Sequence, residues 1–96
     1  MSWWDEQGDQ RRAAISAVLD SPRGQYCRGY ANGDRGFAGW LLVADVTCTR
    51  GLGVSIFDLS DWAWRDAYDS GQKPGTALRE ALAADDTFAT LRRGLQ

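Results

Sequence analysis

The chain has 96 residues, 44% of them hydrophobic with five Trp, three Tyr and three Phe, enough for one core and too apolar for a disordered polymer. Its formal charge of −2 is too mild for a uniformly polyanionic nucleic-acid mimic, and its longest apolar run, Trp40–Ala44, is far too short to span a membrane. With no histidine and only two cysteines, Cys27 and Cys48, the chain lacks Ser-His and Cys-His nucleophile pairs and cannot complete a four-ligand zinc site from cysteine alone.

The acidic start, Met-Ser-Trp-Trp-Asp-Glu, is unlike the basic head of a signal peptide, so a soluble cytoplasmic protein is expected. Ser2 and Asp5 resemble a capping box, and Trp4, Ile15, Val18 and Leu19 share one face of a predicted helix over residues 4–19. Gly8 and Arg11 interrupt that face, and Ser21-Pro22-Arg23-Gly24 ends the helix. Gln25–Tyr30 then alternates Tyr26, Arg28 and Tyr30 against Cys27 and Gly29, the pattern of a half-buried strand.

Asn32-Gly33 is the strongest hairpin signal in the chain. The apolar centre follows over Phe37–Val46. Its Phe37, Trp40, Leu41 and Ala44 also fit helical spacing, but the preceding turn and the continuation into Val46–Thr49 favour a strand. A turn at Arg50–Gly53 leads to a third strand over Val54–Leu59.

Ser60 is an expected N-cap and Gly71 an expected C-terminal stop for a charged helix between them. Thr76 is read as the cap of a helix carrying Leu78 and Leu82, and Asp86 or Thr87 as the cap of a final turn with Phe88 and Leu91. The expected fold is therefore α+β, a single compact domain over residues 1–96. An antiparallel sheet of three to four strands would carry an N-terminal helix and two to three C-terminal helices.

The charged helix holds the leading candidate site. On a helical wheel from Asp61, the residues Ala63, Trp64, Ala67 and Tyr68 gather on one side, and Trp62 lies among Asp61, Arg65, Asp66 and Asp69 on the other. Residues 58–69 carry Asp58, Asp61, Asp66 and Asp69 against Arg65 alone, a local charge of −3. An indole rimmed by charge suits a binding hot spot for a host protein with a basic surface.

The alternative is RNA or single-stranded DNA binding through the hairpin, where Tyr26, Arg28, Tyr30 and Arg35 supply stacking and charge. A net acidic chain repels phosphate at long range, which sets this reading behind the first. Carboxylate pairs such as Asp61 with Asp66 or Asp69, and Asp85 with Asp86, are read as solvated charges rather than catalysts. No enzyme activity, catalytic residue, cofactor or metal is expected. The protein would be a monomer, or a homodimer through Trp3 and Trp4.

No motif places the chain in a family. In size and composition it resembles the small proteins by which phages and mobile elements disable host machinery, anti-CRISPR proteins among them. That resemblance implies a non-enzymatic inhibitor or adaptor occupying a host surface, and it transfers no residue roles.

Overall fold

The computed structural model describes residues 2–59 and 62–85. The expected capping box forms: Ser2 Oγ accepts from the Asp5 amide, and the Asp5 carboxylate accepts from the Ser2 amide and hydroxyl, opening α1, Trp3–Glu6. Gln7 then turns extended and Gly8 caps α2, Asp9–Asp20, so the single helix expected over residues 4–19 is two helices. The break lets Trp3 enter the core while Trp4 reaches the middle of the chain.

The expected sheet is the main correction. Among the described residues every regular element is helical, so the domain is all-α rather than α+β. A short 3-10 turn at Pro22–Gly24 leads into α3, Gln25–Ala31, which replaces the first strand. Six residues of alternation also fit a helix in which Cys27 and Ala31 face the core. Asn32-Gly33 supplies the positive φ of a hairpin turn, 52° and 91°, but uses it to end α3 in the left-handed conformation. Asp34 follows at once as the next N-cap, accepting from the Phe37 amide at 3.1 Å.

That cap starts α4, Arg35–Leu52, in place of the second strand. It buries residues around most of its circumference, among them Phe37, Trp40, Leu41, Ala44 and Cys48, and the other elements pack about it. Two of its glycines admit the Trp4 indole. A Cβ on Gly39 would stand 2.6 Å from Trp4 Cζ3, and one on Gly36 would stand 2.6 Å from the Tyr68 hydroxyl and 3.1 Å from Trp4 Cβ. The third expected strand, Val54–Leu59, is a 3-10 turn at Ile56–Asp58 with its own Ser55–Asp58 capping box.

The charged helix is shorter than expected: α5 runs Trp64–Asp69 and stops at Gly71, which has φ 86°. Its predicted inner face is correct for Trp64, Ala67 and Tyr68, all buried, whereas Ala63 is exposed. The last helix, α6, is Pro74–Ala84. It begins two residues before Thr76 with Pro at its first turn, and it buries Leu78. Ser60, Asp86, Thr87, Phe88 and Leu91 lie outside the described residues, as does Asp61. Aromatic packing closes the core, with Trp40 edge-on to Trp64 and Tyr68 at ring separations of 6.2 and 6.1 Å.

Candidate binding surface

The residues of the expected acidic patch divide among separate tasks. Trp62 precedes α5 instead of riding on it, and it is half-buried against the core. It lines an open cleft that includes Asp66 and Glu80. Asp58 accepts from the Ser55 amide at 3.2 Å and closes the 3-10 turn. Arg65 donates to Asp69 at 3.2 Å and to Asp34 at 2.8 Å, so the patch's one cation and one of its anions neutralise each other. Of the described aspartates in the set, only Asp66 shares the cleft with Trp62.

The second predicted set also separates. Arg28 turns away from the tyrosines and donates to the Leu19 carbonyl at the end of α2. Arg35 forks onto both Asp20 oxygens at 3.0 Å, and that hydrogen bond holds the Asp20 carboxyl below its ordinary range. Both arginines thus tie α2 to the helices that follow it.

Tyr26 and Tyr30 stay together, one helical turn apart on α3. The two residues are 64% and 46% exposed, the largest exposures among the described aromatics. Phe57, from the 3-10 turn, lies 4.4 Å from Tyr26 and 5.2 Å from Tyr30, ring centre to ring centre. Phe37 supports Tyr30 from the core side at 6.2 Å. Three rings from two elements therefore form a braced platform beside an open cleft of about 560 Å³, lined by Pro22, Arg23, Gln25, Tyr26, Gly29 and Tyr30.

Phe57 and Arg23 belong to this surface without having been singled out as site residues in the sequence. The i, i+4 spacing of Tyr26 and Tyr30 is its only local signal.

Among the described residues no group of three or more His, Cys, Asp or Glu could hold a metal ion. Burial, and after it the Asp45 charge, push the free Cys27 thiol up to about 12 and raise Cys48 as well. Among those residues no helix is long and apolar enough to cross a membrane.

Comparison with known proteins adds one relationship. Over 46 residues, 48% of this chain and 87% of the relative, the sequence is 35% identical to the Gene 87 protein of Mycobacterium phage L5. The chain belongs to the Gene 87 protein family. No family model and no solved structure matches it. Gene 87 kinship makes this a small phage-type protein, the coarse part of what its size and composition suggest. It assigns neither ligand nor reaction, so the chemistry rests on the aromatic platform.

Proposed function

We propose that this Gene 87-family chain is a non-enzymatic binding protein, an inhibitor or adaptor that occupies the surface of a host protein. Its contact residues are Tyr26, Tyr30 and Phe57. The observation that carries this reading is the exposure of two tyrosines on a rigid base. Tyr26 and Tyr30 both stay exposed to water, yet both rest on Phe57. Rigid aromatic side chains lose little entropy on binding, and Tyr is enriched among the residues that dominate interface energies. The acidic version of the contact, centred on Trp62, is the weaker reading because Asp58, Arg65 and Asp69 are engaged within the fold.

The test is affinity capture from a mycobacterial lysate with wild type, the double variant Tyr26→Ser/Tyr30→Ser, and Trp62→Ala. All three are first matched by thermal melts. A protein held by wild type and lost by the tyrosine variant supports the platform. A protein held by the tyrosine variant and lost by Trp62→Ala returns the contact to the Trp62 cleft. The second reading, single-stranded nucleic acid stacked on the same tyrosines, draws on Arg23 beside them. Anisotropy titration with labelled oligonucleotides at low salt decides it.

A further inference from the structure

A second surface adjoins the platform at Arg23. Between α2 and α4 runs a groove of about 370 Å³ floored by Ala14, Ile15, Val18, Val43 and Val46. Its charged lining is Arg11, Arg23 and Arg50, with no acidic residue. Elsewhere four acids form ion pairs: Asp9 with Arg12, Asp20 with Arg35, and Asp34 and Asp69 with Arg65. Asp5 and Asp58 cap turns, and Asp45 accepts from the Ser55 hydroxyl and the Ile56 amide. Arg11, Arg23 and Arg50 form no ion pair among the described residues. The net negative charge of the chain therefore conceals a locally cationic groove.

We infer that this groove takes an acidic amphipathic helix of the protein partner, a deeper statement of the proposed function that rests on it. The walls are themselves helices. Ala14 and Val18 lie one turn apart on α2, and Val43, Val46 and Arg50 follow the same spacing on α4. Two such ridges leave a straight furrow into which a third helix can lay an apolar stripe. Carboxylates flanking that stripe meet the three guanidiniums, which gain from bidentate pairing. A nucleic acid would use the arginines but leave the valine floor without a partner. Since Arg23 lines both the groove and the tyrosine cleft, one partner can cover both.

The probe is a labelled synthetic helical peptide of about 18 residues, five turns, with Leu on one stripe and Glu on its flanks. Its twin carries Lys in place of Glu. The full chain is titrated by anisotropy, and its backbone amides are followed by NMR. The acidic peptide should bind at least about tenfold more tightly than its twin and weaken steeply toward about 0.5 M salt. Amide shifts should centre on Ala14, Val18, Val43 and Val46. Arg11→Gln/Arg50→Gln should lower affinity roughly fivefold or more. Val46→Glu, at a half-buried position on the groove wall, should abolish binding in a folded protein.

Equal affinity for the twins, no binding at about millimolar peptide, or shifts away from the groove would overturn the inference. Tighter binding of an oligonucleotide or of anionic vesicles than of the acidic peptide would overturn it too. Lysate capture separates the two failures. A partner lost by Tyr26→Ser/Tyr30→Ser but kept by both groove variants preserves the platform and removes the groove. A partner kept by the tyrosine variant removes the reading on which the groove depends.

Discussion

Arg65 on α5 donates at 2.8 Å to Asp34, 31 residues earlier in the chain. Asp34 is at the same time the N-cap of α4, using its other oxygen for the Phe37 amide. The guanidinium also lies over the Phe37 and Tyr68 rings, at 5.1 and 5.8 Å from their centres. One side chain therefore fastens the late helix α5 to the start of the central helix. Arg65→Ala should lower the melting temperature, and Arg65→Lys should restore only part of the loss, because lysine cannot fork or stack in the same way. The ion pair is about half exposed, so salt should shrink the difference between wild type and Arg65→Ala. Asp34→Ala should be the more damaging change, losing about 1 kcal/mol from the cap in addition to the pair. Identical melts for wild type and Arg65→Ala at low salt would refute this assignment.

Some helix ends are legible in this sequence, while the state of the chain between them is not. Ser2 with Asp5, and Gly71, mark the ends that they terminate. Asn32-Gly33 marks a positive φ correctly, but a hairpin and a left-handed helix cap need the same dihedral, and only tertiary packing selects between them. In Phe37–Val46 the helical period of Phe37, Trp40, Leu41 and Ala44 is visible. Valines and a preceding turn argue for a strand, and what settles the matter is distant, since Trp4 and the Tyr68 hydroxyl fill the space left by Gly36 and Gly39.

The candidate surface shows the same division. Residues four apart share a face in either state, so Tyr26 and Tyr30 stay together whether α3 is a strand or a helix. Arg28, two residues from each, shares that face only in a strand, and in the helix it swings to α2. Arg35 leaves for Asp20. Phe57 joins from a distant turn that no local pattern announces.

Gly24 is a point of contact between backbones. A Cβ there would stand 2.3 Å from both Cα and O of Leu19, which cannot rotate away as a side chain can. Gly24→Ala should therefore destabilise by about 1–3 kcal/mol or more. Gly29, within α3, is the matched control, because a Cβ there meets nothing within 4 Å. Gly29→Ala should stabilise by about 0.5–1 kcal/mol through helix propensity. Urea denaturation midpoints moving in opposite directions would bear this out, and a neutral Gly24→Ala would contradict it.

Trp40 carries the one polar atom of a fully buried indole to the Gln72 carbonyl, at 2.9 Å. The bond fixes the loop between α5 and α6 to the central helix. Trp40→Phe removes the donor, leaves that carbonyl short of a partner and vacates part of the ring volume. A loss of about 2–4 kcal/mol should follow from the two effects together. Amide exchange should quicken around Gln72 as the loop loses its tether. A denaturation midpoint unchanged from wild type would show that the bond contributes nothing.

The thiols give a prediction with a definite sign. Burial is the larger cause of the rise in the Cys27 thiol to about 12, with the Asp45 charge behind it, and Cys48 rises for the same leading reason. A group whose folded value is raised binds its proton more tightly in the folded state. Its contribution to stability is whole below the unfolded value near 9 and disappears as pH rises toward 12. Folding stability should therefore fall across that interval, and Cys27→Ala should flatten the fall while costing stability at neutral pH through the lost packing. At pH 8 a rise of that size leaves about a thousandfold less thiolate than in the unfolded chain. An aromatic disulfide reagent should accordingly label Cys27 and Cys48 at once in denaturant but, under native conditions, only as fast as the domain opens. Rapid labelling of both thiols in the folded protein at pH 8 would mean that the core around α3 and α4 is looser than its packing implies.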